Sequence, residues 1–227
     1  MGRKIYGIFV AGGSGSRMGS DVPKQFLPLD GVPILQRTIE RFLEAVPDLH
    51  VITVLPAAHM STWREMCFES SLNCGQVLVC GGITRFHSVQ NALSKVPDGA
   101  LVMIHDGVRP LVSVSMIRRM LAEMDDCRAL VPVVPMVDTL RYKDGSEPSP
   151  DRARIVGVQT PQIFYSEDIK KAYSRAFSET FTDDASVAVA AGYTVAQTEG
   201  ERFNLKITTK EDLLLAHAIL TFSSENA

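Results

Sequence analysis

The chain is predicted to fold as an α/β protein, an open and mostly parallel twisted sheet with helices on both faces. Three observations carry that expectation. Short β-rich apolar runs alternate with stretches at helical period along most of the sequence, as in successive βαβ units. The first run ends directly in a glycine-rich loop. The runs are also too continuously apolar to leave one face in water. The arrangement is Rossmann-like. With 227 residues and 45% hydrophobic content, the chain can bury one substantial core, so a single domain over 1–227 is expected.

The strands are read, in order, at "IYGIFV" (5–10), "VITVL" (51–55), "QVLVC" (76–80), "LVMI" (101–104), "ALVPVV" (129–134) and "YTVAQTE" (193–199). Between them lie the helices. In "ILQRTIERFLEAV" the residues Ile34, Leu35, Ile39, Phe42, Leu43 and Val46 share one helical face. Similar periods cover about 58–70, 83–95, 113–125, 184–191 and 210–222. One segment breaks the alternation. From Met136 to Val158 the chain is polar, lacks a helical period and contains Asp144-Gly145, a hairpin signal. It predicts a β-arm projecting from the sheet, either a surface hairpin or a dimer contact.

Composition excludes several classes. A net charge of −3, with no block of lysine or arginine, gives no field for nucleic acid, so any anion site must be built locally. Cys67, Cys74, Cys80 and Cys127 form no C-x-x-C pair, and the five histidines show no zinc spacing, which suits free thiols in a reducing cytosol. The opening "MGRKIYGIFVAGG" superficially resembles a signal peptide, but its apolar part enters the glycine loop directly and reads as a buried strand. No run approaches the ~20 apolar residues of a membrane span. A cytoplasmic protein with no membrane partner is expected.

The loop "VAGGSGSRMGSDVPKQFLPLDG" holds more special residues than a turn requires. In open parallel sheets, ligands bind outside the carboxyl ends of the strands, where this loop lies. Glycines let successive backbone N–H groups turn inward as an anion nest. Two familiar phosphate motifs fail. A Walker loop needs Gly-Lys-Ser/Thr, whereas Lys24 follows a proline; a dinucleotide fingerprint needs glycine or alanine where Met18 stands. What remains is a nest flanked by two cations, Arg17 and Lys24, which suits a triphosphate and the charge that develops as pyrophosphate leaves. The alternative is a pair of solvated surface charges.

"AGGSGSRMGSDVPKQFLPL" resembles the signature of nucleoside-triphosphate transferases that make activated sugars and polyols. It is most similar to the cytidylyltransferases acting on 2-C-methyl-D-erythritol 4-phosphate in isoprenoid synthesis. The similarity continues through "GGITRFHSV" (81–89), "HDGVRPLV" (105–112), "VDTL" (137–140), "DR…QTPQ" (151–162), "TDDAS" (182–186) and "NLKIT" (204–208). It implies CTP binding by Ala11, Gly12, Gly13, Ser14, Gly15 and Ser16, with Asp106 and Gly107 contributing and Gly82 and Ser88 reading cytosine. It implies acceptor binding by Asp106, Arg109, Thr139, Arg152, Thr160 and Thr182. Thr139 and Arg152 would reach the other subunit's site in a homodimer with exchanged arms.

Local alternatives stay open beside these roles. Asp106 follows a strand, so it reads as a direct or water-mediated Mg²⁺ contact, a sugar-hydroxyl acceptor, or an ion-pair partner of Arg109 holding the turn. Thr84 or Ser88 can serve a helix N-terminus, Thr182 or Asp183 can cap another, and Thr208 with Glu211 reads as a capping box. His105 reads as packing. Lys206, on an expected short strand before that box, is the better functional candidate, a cation able to reach both substrates. No activated nucleophile is legible, which suits an acceptor phosphate already dianionic at neutral pH. The expected reaction is direct attack on the α-phosphorus of CTP, with Arg17, Lys24 and Lys206 as catalytic residues and Mg²⁺ as cofactor. The competing readings are a ribitol-5-phosphate cytidylyltransferase, a more distant sugar-1-phosphate nucleotidyltransferase and a non-catalytic CTP-binding module.

Overall fold

The structure, a computed structural model, describes residues 2–13, 19, 22–70, 72 and 74–225, with side chains through residue 222. Ser14, Gly15, Ser16 and Arg17 lie outside the described residues. Seven strands form the main path of one sheet. They are β1 (Ile5–Val10), β4 (His50–Leu55), β5 (Gln76–Cys80), β6 (Leu101–Asp106), β7 (Ala129–Pro135), β9 (Gln162–Tyr165) and β10 (Ala196–Glu199), in the spatial order β10-β7-β9-β6-β1-β4-β5. β8 (Val156–Val158) pairs with β7 off this path, and β2 (Pro28–Leu29) and β3 (Val32–Pro33) make a separate small hairpin.

The alternation of side chains along each strand sorts the core into two layers. Phe9, Val51, Leu55 and Met103 face α1 (Ile34–Ala45), α2 (Met60–Glu69) and α4 (Val114–Glu123). Ile8, Ile52, Val54, Val102 and Ile104 face α3 (Arg85–Leu93), α5 (Ser166–Tyr173) and α6 (Asp184–Ala190). Helices therefore cover both faces, as the continuous apolar strands required. α7 (Lys210–Glu225) lies apart and closes a smaller cluster of Leu29, Ile34, Val108, Ile207 and Ala216.

The sheet is parallel except at β9, which runs antiparallel to both β6 and β7, and at β8, which runs antiparallel to β7. β9 and α5 after it have no counterpart in the sequence reading. "QIFY" has four residues and runs without a break into the helix, too short for a period to show. β6 also continues two residues beyond 104, because His105 and Asp106 keep pairing with Phe9 and Val10.

The arm is a strand pair only at its root, where Val133, Val134 and Pro135 pair with Val158, Gly157 and Val156. Beyond the root it turns. Gly145 takes φ +79° and its N–H returns to the Tyr142 carbonyl at 3.1 Å, while the Asp144 carboxylate accepts from the Ser146 N–H and hydroxyl. Pro148 and Pro150 remove ladder donors, and the exposed polar side chains offer no face to bury. Residues 203–208 are likewise not a strand. Lys206 sits on an extended segment tied back by Ile207 N–H to the Val108 carbonyl at 2.9 Å.

Candidate active site

A cavity of about 320 Å³ opens at the carboxyl ends of β1, β5 and β6. It brings together Ala11, Gly12, Gly13, Lys24, Gly82, Ser88, Asp106 and Lys206 from the predicted set. β1 delivers the start of the glycine loop. Lys24 begins a 3-10 turn, Lys24–Phe26, whose Phe26 ring stacks on Trp63 with centroids 5.9 Å apart. Its ammonium reaches the Ile207 carbonyl at 3.2 Å. The neighbouring Gln25 is 1% exposed, and its amide has no partner among the described residues.

The glycine pair after β5 is fixed by sterics and by Ser88. A Cβ on Gly82 would stand 2.4 Å from the Cβ of His87. Gly82 N–H donates to Ser88 Oγ at 3.0 Å, and Ser88 Oγ–H donates to the Thr84 carbonyl at 2.9 Å. Thr84 caps α3, its hydroxyl accepting from His87 N–H. Ser88, 4% exposed, thus shapes the loop from beneath.

Asp106 is the electrostatic centre. Its Oδ2 lies 3.1 Å from Lys206 Nζ and 3.2 Å from Arg109 Nε, and its Oδ1 lies 3.9 Å from Arg85 Nε. Burial opposes ionisation, but Lys206, Arg85 and Arg109 outweigh it and hold the carboxyl well below the usual carboxylate range. Of the two readings of Arg109, the ion pair with Asp106 is the one present; its Nη1 also donates to the Asn204 carbonyl at 2.7 Å, and it does not line the cavity. A direct Mg²⁺ contact does not fit this carboxylate, since a dication there would join three cations. Among the described residues no group of three His, Cys, Asp or Glu is placed to hold a metal ion. Asp106 suits a hydroxyl donor instead.

Arg85 was not singled out from the sequence, and it belongs to the site. It lines the cavity and forms a bidentate pair with Asp184 at 2.9 and 2.6 Å. Asp184 is fully buried and also accepts from the Tyr173 hydroxyl at 2.6 Å. In "TDDAS", Asp183 is the cap of α6 with Ser186 as its reciprocal partner, and Asp184 is the anchor of Arg85. Gln162 on β9 binds both ends of this device, donating to Asp183 Oδ2 and accepting from Ala185 N–H, each at 2.8 Å.

Other predicted residues stand elsewhere. Gly107 does not line the cavity; a Cβ there would meet Leu35 Cδ1 at 2.8 Å, so its smallness serves packing. Thr160 is turned into the sheet, where its hydroxyl accepts from Asp106 N–H at 3.1 Å and lies 3.0 Å from His105 Nδ1. It sets the direction of Asp106 from behind. Thr182 is exposed beside the α6 cap, and Thr139 and Arg152 lie on the exposed arm, outside this cavity. The capping box before α7 is shifted by one residue: Thr209 Oγ1 accepts from Asp212 N–H while Asp212 Oδ2 accepts from Thr209 N–H.

His105 packs against Phe9 and Phe42 with no exposed surface. Burial, helped by the Arg109 and Lys206 charges, pushes its pKa down to about 3. The folded state then holds His105 neutral where the unfolded chain, with a pKa of about 6.5, takes up a proton. Stability contributed this way is complete above about pH 6.5 and is lost as pH falls toward 3, at up to about 1.4 kcal/mol per pH unit. Urea unfolding between pH 4 and 7 should show this slope, and His105→Asn should flatten it.

The family model for 2-C-methyl-D-erythritol 4-phosphate cytidylyltransferase matches residues 5–222. The chain belongs to this family. The enzyme of that name from Bacteroides thetaiotaomicron is 45% identical over 214 residues, covering 94% of this chain and 98% of the relative. That from Porphyromonas gingivalis is 46% identical over 226 residues, covering 97% and 100%. Among solved structures, the 4-diphosphocytidyl-2C-methyl-D-erythritol synthase of Anaerococcus prevotii superposes with a TM-score of 0.82 at 25% identity, covering 96% of this chain and 99% of that one. The Thermus thermophilus cytidylyltransferase gives 0.73 at 31% identity, covering 96% and 98%. As a member of the cytidylyltransferase family, the chain is a nucleotidyltransferase, and its fold is the Rossmann-like one of these structures.

Proposed function

We propose that the cavity transfers CMP from CTP to 2-C-methyl-D-erythritol 4-phosphate, releasing pyrophosphate, by in-line attack of the acceptor phosphate on the α-phosphorus. The observation that carries this reading is the meeting of Lys24, Lys206, Arg85 and Asp106 in one glycine-walled cavity at the sheet's carboxyl edge. A phosphate monoester with a second pKa near ~6 is its own nucleophile, so the protein needs no general base. Its task is to align two anions that repel each other and to stabilise charge on phosphorus and on the leaving group.

Lys24 and Lys206 supply that charge, joined by Arg17 from the glycine loop. Backbone amides from Ala11 to Ser16 cradle the triphosphate, and Gly82, held by Ser88, addresses the base. Asp106 accepts a hydroxyl, and Arg109 keeps it in place. Mg²⁺ bound with the nucleotide would neutralise charge on the triphosphate beside Lys24 and Lys206. Incubation with CTP, Mg²⁺ and either this acceptor or ribitol 5-phosphate, followed by pyrophosphate release, tests the assignment; faster turnover of ribitol 5-phosphate overturns it. The setting proposed is cytoplasmic; among the described residues no helix is long and apolar enough to cross a membrane.

Thr139 and Arg152 act, in this reading, across a homodimer with exchanged arms. Within its own chain, Arg152 donates from Nη1 to the Val137 carbonyl at 2.7 Å, far from needing all five of its donors. Arg152→Ala should raise KM for the acceptor about tenfold or more with a smaller change in kcat. At acceptor concentrations below KM, co-refolding Arg152→Ala with Lys24→Ala should restore activity above either alone, because one site of the mixed dimer keeps both residues. No restoration would remove the exchange of arms.

A further inference from the structure

A second cavity, of about 700 Å³, lies on another part of the molecule. It opens between α1, α7 and the segments 110–113 and 201–203. Part of its wall is apolar, with Leu111, Phe203 and Leu220; the Phe203 side chain is 61% exposed. The rest is cationic, formed by Arg37, Arg41 and Arg202.

These charges are poorly compensated. Arg41 pairs with Glu44 at 2.8 Å, but neither Arg37 nor Arg202 has a carboxylate partner among the described residues. Arg37 donates from Nη2 to the Leu29 carbonyl at 2.9 Å, and its buried Nε has no acceptor. Glu201, the carboxylate in the lining, is already committed to the start of α4, accepting from the N–H and the hydroxyl of Ser113. Like charges in one cleft repel until an anion joins them. A guanidinium prefers a phosphate or carboxylate, and the volume is that of a small-molecule site.

We propose that this cavity binds a small amphipathic anion, with its phosphate or carboxylate head at Arg37 and Arg202 and its hydrocarbon tail along Leu111, Phe203 and Leu220. The site is linked to the Asp106 cluster. Pro110 follows Arg109, which holds both Asp106 and the Asn204 carbonyl, and residues 201–203 lead directly into Asn204. An occupant bracing these two walls changes the setting of Arg109, and by linkage CTP and the anion alter each other's affinity by the same factor.

Calorimetric titration with decyl phosphate below its micelle concentration tests the site without any substrate, so its outcome is independent of the transferase reading. Inorganic phosphate and 1-decanol serve as the two halves of the probe. The expected result is saturable one-to-one binding, at least tenfold tighter than either half. Arg202→Ala should weaken it at least tenfold and Phe203→Ser at least threefold, with thermal midpoints unchanged. At saturation, KM for CTP should shift at least twofold. Absence of saturable binding, equal binding of inorganic phosphate, undiminished binding by both variants, or binding seen only with phosphatidylglycerol vesicles would each overturn the site. An unmoved KM would overturn the link.

Discussion

Lys24→Ala should lower kcat by about 100-fold or more, with a smaller change in KM for CTP and a thermal midpoint close to that of the unchanged protein. The side chain is 9% exposed, and its ammonium is fixed over the cavity floor by the Ile207 carbonyl. A cation held there in advance stabilises charge that appears only as the α-phosphorus is attacked, so its loss falls on turnover. The turn that carries it is secured independently by Phe26 on Trp63, and the truncation leaves that packing in place. Steady-state kinetics with CTP and the acceptor, beside a melting curve, decide the matter. Turnover within threefold of the unchanged protein would remove Lys24 from the chemistry.

The second large effect concerns stability and activity together. Asp184→Ala should cost about 3 kcal/mol, because removing one partner of a buried ion pair strands the other. Two groups lose their acceptor, the Arg85 guanidinium and the Tyr173 hydroxyl, and Tyr173 is itself buried. Arg85 is then released toward Asp106, whose Oδ1 is already 3.9 Å away, and competes with substrate for that carboxylate. KM should rise as the urea midpoint falls. Asp184→Glu, which keeps the charge, should recover part of both. A midpoint shift below about 1 kcal/mol would show that Arg85 finds equivalent partners elsewhere.

The parallel part of the fold was legible because its strands are separate apolar runs, most of them followed by a turn and a helix. β9 was not, since four residues leading straight into α5 carry no period of their own, and antiparallel insertion between β6 and β7 is a long-range choice. The cavity was partly legible for the same reason: Asp106 ends a strand, and Lys24 and Gly82 stand in the segments that follow one. Arg85 was hidden by its distance from Asp184, 99 positions along the chain. No local pattern tells a capping segment that its second aspartate will hold an arginine from another helix. Thr160 was misplaced because its sequence block matched while its side chain points inward.

The twenty residues between Pro135 and Val156 leave and re-enter the sheet at paired positions on neighbouring strands. Their ends are therefore separated by about one strand spacing, ~5 Å, whatever lies between them. The excursion is a removable cassette: a short turn can splice β7 to β8 without asking the layers beneath to adjust. Such a shortened chain would keep the Asp106 cavity intact, and grafting the excursion of one relative onto another would exchange what it carries without rewriting the core.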